Sequence, residues 1–72
     1  MNVKGTVYYY GTRYDRSKTI GWAPGGVVPQ VGSSVILKDY VYKVEQVLYD
    51  IDGGKAHVRL LCKKPLDYNI SR

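Results

Sequence analysis

From Lys55 to Lys63 the chain alternates strictly, with Ala56, Val58, Leu60 and Cys62 at one parity and Lys55, His57, Arg59, Leu61 and Lys63 at the other. Successive side chains of a strand point to opposite sides, so this period of two predicts a strand with one buried face and a basic outer face. The preceding Asp52-Gly53-Gly54 predicts the turn of a hairpin. A type I′ connection needs φ > 0 at both central residues, and glycine reaches that region without steric cost.

The other arm, Val41 to Ile51, breaks its own alternation. Tyr42 and Val44 share one parity, whereas Val47, Tyr49 and Ile51 take the other. One extra residue at Glu45-Gln46 restores a single apolar face, which is the register signature of a β-bulge. Length argues the same way. Laid straight, this arm would run about 35 Å at ~3.3 Å per residue, too long for a compact chain whose radius of gyration is about 11 Å. The expected feature is one long bent hairpin over residues 41–63, shared between two small sheets.

In the rest of the chain, Val3 to Tyr10 reads as a first strand with Val3, Gly5, Val7 and Tyr9 inward and Lys4, Thr6, Tyr8 and Tyr10 outward. Gly11 to Thr19 is polar and predicts a loop. Ile20-Gly21-Trp22 predicts a short strand ended by Pro24-Gly25-Gly26, because proline lacks the ladder donor. Val35 and Leu37 share a face in a strand over Ser34 to Lys38, and Asp39-Tyr40 connects it tightly to the hairpin. After Pro65, the alternation of Leu66, Tyr68 and Ile70 fits either a last edge strand or a short packed turn. No segment carries helical apolar spacing over ten residues. The expected fold is all-β, a small five-stranded barrel in a single domain spanning residues 1–72.

Seventy-two residues leave no room for a second core. One Cys and one His exclude an internal disulfide and a four-ligand zinc site, and no cofactor or metal is expected. Asp50, Asp52 and Gly53 superficially resemble a calcium loop, but the twelfth position is Leu61 and turn chemistry accounts for both aspartates. Met1 to Tyr10 has no apolar run of signal-peptide or membrane-span length, so a cytoplasmic chain without a membrane partner is expected. The formal charge of +5 favours polyanionic partners without specifying one.

Val31-Gly32-Ser33-Ser34-Val35-Ile36-Leu37, followed by Tyr42-Lys43-Val44-Glu45-Gln46-Val47, resembles the V-G-x-x-V-x-L and Y-x-V-x-x-V pattern of SH3-like small β-barrels. The resemblance covers about half the chain and implies a five-stranded SH3-like barrel, with Gly11 to Thr19 as the long loop that often borders a binding surface. Barrels of this kind are frequent among proteins of phages and mobile elements, which implies an accessory protein of that sort.

Eight Tyr, one Trp and no Phe suit half-exposed strands, since the tyrosine ring packs while its hydroxyl meets water or a partner. The candidate surface is Lys4, Tyr8 and Tyr10 with the row Lys55, His57, Arg59 and Lys63, flanked by Arg13, Arg16 and Lys18 in the loop. Cations that track phosphates and rings that stack on bases are what single-stranded nucleic acid requires. The competing accounts are that the lysines guard an exposed sheet and the tyrosines cover cross-strand neighbours, or that the surface meets a protein, either a host factor or further copies of this chain. A small anionic ligand such as a nucleotide is a third use for the same arginines. Trp22 and Cys62 are expected in the core. No phosphate-cradling glycine loop, carboxylate pair or nucleophile-base arrangement is present, so a non-catalytic binding module is expected.

Overall fold

The computed structural model describes residues 2–11, 14 and 16–66. Its strands are β1 (Asn2–Val3), β2 (Val7–Tyr10), β3 (Thr19–Ala23), β4 (Gly26–Val27), β5 (Ser34–Leu37), β6 (Tyr40–Asp50) and β7 (Lys55–Pro65), with one 3₁₀ turn at Arg16–Lys18. No α-helix occurs among the described residues, and the fold is all-β. Five strands form one curled sheet in the order β3-β2-β7-β6-β5, while β1 and β4 form a separate two-stranded ladder. Neighbours are antiparallel except β2 and β7, which run parallel.

The first expected strand is in fact two. The Gly5 amide donates to the Gly54 carbonyl at 2.7 Å, and a Cβ on Gly5 would stand 2.6 Å from that oxygen. The chain therefore bends at Lys4-Gly5 over the hairpin turn, and only Val7–Tyr10 continues in the main sheet.

The hairpin of β6 and β7 carries the core. Val44, Ala56, Val58 and Leu60 are almost wholly enclosed, and Val7, Val28 and Tyr42 are buried with them. The expected bulge is present: Val44 pairs with Leu60 and Gln46 with Arg59, so Glu45 is the extra residue and Val47 returns to the core. The length argument for a bend does not hold, however. The molecule extends 40 Å along its longest axis, which accommodates an eleven-residue strand, so register rather than overhang accounts for the bulge.

A second, unexpected bulge lies in β7. Val41 pairs with Lys64 and Lys43 with Leu61, leaving Cys62 and Lys63 opposite Tyr42. Cys62 takes φ 59° and is exposed, not buried as the alternation implied. The slip also carries Lys63 off the face of His57 and Arg59 to the side of Tyr40, whose ring centroid lies 4.1 Å from its Nζ.

The hairpin turn also differs from expectation. The last pair is Asp50 with Lys55, so the loop holds four residues, and within it only Gly54 has positive φ, at 65°. Asp50 Oδ1 accepts the Gly53 amide at 2.9 Å, which makes a self-supported wider turn in place of the two-residue type I′ form. The two-residue connection with both φ values positive stands instead at Lys38-Asp39, between β5 and β6.

The five-stranded sheet curls into a half-barrel. Its edge strands β3 and β5 approach without a ladder, and a Cβ on Gly21 would lie 2.9 Å from both Leu37 methyls. Glycine at this position lets the two edges close over the core. A bulge between Tyr9 and Tyr10 also turns Ile20 toward the core. With these inward positions filled, Trp22 pairs with Tyr8 on the outside and is 67% exposed, contrary to its expected burial. Beyond β7, Leu66 is buried and its amide donates to the Asp39 carbonyl at 3.0 Å. Tyr68 and Ile70 lie outside the described residues.

Candidate nucleic-acid interface

The outer face of the half-barrel is ordered by the parallel ladder of β2 and β7, which sets the even residues of β2 beside the odd residues of β7. Tyr8 pairs with Trp22 on one side and His57 on the other, and His57 pairs with Leu48. One row across four strands is therefore Trp22, Tyr8, His57, Leu48. The next is Thr19, Tyr10, Arg59, Gln46.

Within these rows the rings bind one another. Tyr8 and His57 stack with centroids 5.6 Å apart and planes 15° from parallel. The Tyr10 hydroxyl and His57 Nδ1 are 2.7 Å apart; the hydroxyl donates when Nδ1 carries the lone pair and accepts when Nδ1 is protonated. Tyr14 packs its ring against Tyr10 at 5.4 Å and 66°, and its hydroxyl donates to Gln46 Oε1 at 3.2 Å. The guanidinium of Arg59 lies 5.6 Å from the Tyr14 centroid and forms an ion pair with Glu45. Arg59 Nε is enclosed without a hydrogen bond among the described residues. Burial pushes the pKa of Tyr14 up; the Arg59 charge opposes that rise, while Glu45 and Tyr10 add to it.

This arrangement changes the roles expected of several residues. Tyr8 and His57 are half-buried on the outer face, as the parity predicted. Tyr10 also points to that face but is only 2% exposed, because Tyr14 covers it, so its ring face is not open to solvent. Arg59 is on the expected face with much of its charge answered by Glu45. Lys55 is on this face and forms no ion pair among the described residues. Lys18 is exposed in the 3₁₀ turn, and Lys4 is exposed at the bend beside the hairpin loop, away from the two rows. Lys63 has left the face. Arg13 and the side chain of Arg16 lie outside the described residues.

The sequence reading left Leu48, Glu45 and Gln46 out of the candidate surface, put Trp22 in the core and kept Tyr14 within the polar loop of Gly11 to Thr19. Leu48 was accessible to it, since it stands at the parity opposite Val47 and Tyr49. Trp22 and Tyr14 had no such signal, because their positions follow from a strand register and a loop fold. Between the rows lies a polar notch of about 110 Å³ lined by Tyr8, Tyr10, Thr19 and Lys55. Among the described residues no group of His, Cys, Asp and Glu is placed to hold a metal ion, and no helix is long and apolar enough to cross a membrane. No protein-family model, curated protein or solved structure matches this chain.

Proposed function

We propose that this protein is a non-catalytic binding module that holds single-stranded nucleic acid on the outer face of its half-barrel. The observation that carries the reading is the stacked Tyr8–His57 pair on the outer face of the sheet, set beside Lys55, which forms no ion pair among the described residues. Stacking on such rings tolerates any base, and the cation attracts the backbone. The fold is read as an SH3-like small barrel. Supporting this, the Val31 to Leu37 and Tyr42 to Val47 patterns fall on the approach to β5, on β5 itself and on the first part of β6.

The test is fluorescence anisotropy of a labelled oligothymidylate over a salt series. Log affinity is expected to fall with log salt by about 0.7 per phosphate neutralised. Undetectable or salt-insensitive binding at low ionic strength refutes the reading. A protein-interaction role is the second reading, favoured by the unpaired outer edge of β5 and by the exposed Val31 and Ile36. A stoichiometric protein partner that survives nuclease treatment, together with failure to bind oligonucleotide, would establish it in place of the first.

A further inference from the structure

We infer that Trp22 and the notch of Tyr8, Tyr10, Thr19 and Lys55 form one base-and-phosphate subsite. Trp22 stacks a base, and the notch takes a phosphate of the same single strand. The inference rests on the nucleic-acid reading above and names the ligand's contacts within that site.

Three observations meet at this point. Trp22 is 67% exposed on β3, and among the described residues its in-register neighbour is Tyr8; on its other side β3 is the edge strand of the sheet. A large ring left in water at a sheet edge is the geometry that an incoming base can cover. Beside it, the notch of about 110 Å³ has room for a phosphate group but not for a whole nucleoside. Its lining residues, Lys55, Thr19, Tyr8 and the buried Tyr10, are of the types that an anion site uses, an ammonium and hydroxyl donors. The nearest acid in register, Asp50, makes no ion pair with Lys55, and its Oδ1 accepts the Gly53 amide. Charge complementarity therefore selects an anionic ligand over an apolar one, and the adjoining ring selects one that carries a base.

Trp22 is the sole tryptophan, so its fluorescence reports the subsite directly. Oligothymidylate is titrated against the whole chain while Trp22 emission and the anisotropy of a labelled strand are followed together. Binding is expected to quench Trp22. Trp22→Ala is expected to weaken binding roughly tenfold or more and Trp22→Phe to restore most of it. Lys55→Gln is expected to reduce the salt slope by about 0.7, one phosphate contact. Anisotropy binding with unchanged Trp22 emission and a Trp22→Ala variant of normal affinity would overturn the subsite and leave the nucleic-acid reading standing. No anisotropy change at low salt would remove both. Thymidine monophosphate binding as tightly as the oligomer would also overturn the inference, by assigning the site to a free nucleotide.

Discussion

The two faces of the same curled sheet are built from different chemistry. Inside, Val44, Ala56, Val58 and Leu60 are buried in one apolar cluster with Val7, Val28 and Tyr42. Outside, Tyr8, His57, Tyr10, Tyr14 and Arg59 are joined by ring contacts, hydrogen bonds and an ion pair, and several remain half-exposed. The inner contacts gain stability in proportion to apolar area and contain no carboxylate or amine to titrate or to be screened. The outer contacts exchange water for protein partners at small net gain, so they orient side chains more than they hold the fold. Changes inside are therefore expected to act on stability and changes outside on binding.

The largest expected effect comes from pairing one change on each face. Leu60→Ala should cost ~2 to 5 kcal/mol in urea unfolding, a large share of what so small a domain has, whereas Leu48→Ala should stay within ~0.5 kcal/mol. Similar costs for the two would erase the distinction between the faces.

A smaller effect is expected at Tyr10, the one outer-face ring that is buried as deeply as the core. Tyr10→Phe removes the hydroxyl that meets His57 Nδ1 and should cost about 1 kcal/mol in urea unfolding. Unchanged stability would show that the Tyr10–His57 hydrogen bond does not help to hold the fold.

Glu45→Gln should separate stability from binding. The loss of the Arg59 ion pair is expected to lower stability by about 0.5 to 1 kcal/mol, since both side chains are partly exposed. The released guanidinium should at the same time strengthen binding and steepen its salt dependence. Weaker binding in this variant would mean that Arg59 works only when positioned by Glu45.

The smallest effect is confined to alkaline pH. Burial raises the pKa of both Tyr14 and Tyr9 above the ordinary value of 10.0. Above that ordinary value the unfolded chain holds fewer protons than the folded one, so stability should fall as pH rises through the raised folded values, with no slope from these groups below it. Melting temperatures from neutral to alkaline pH check this. Tyr14→Phe should flatten the decline, and an unchanged decline would show that Tyr14 is not the group responsible.

The parts of this fold that could be read along the chain are those in which neighbouring residues contain the whole rule. Parity placed Ala56, Val58 and Leu60 inside, and its interruption located the bulge at Glu45. The same rule failed at Cys62, where a second bulge breaks the alternation without leaving any break in the apolar pattern. It also misassigned Trp22, because residue type favoured the core while the register with Tyr8 set the ring outside. For the surface, parity correctly put Tyr8, Lys55, His57 and Arg59 on one side, but it could not show that Glu45 answers Arg59 or that Tyr14 covers Tyr10.

The amino-acid order thus settles strand character, the inner face of β7 and the long hairpin, since these depend on side-chain period and on turn residues within a short span. The parallel ladder of β2 with β7, the slip at Cys62, the exposure of Trp22 and the covering of Tyr10 were settled by packing. Each depends on which distant backbone supplies the hydrogen bonds and which distant side chain fills the space, and local alternation carries no information about either.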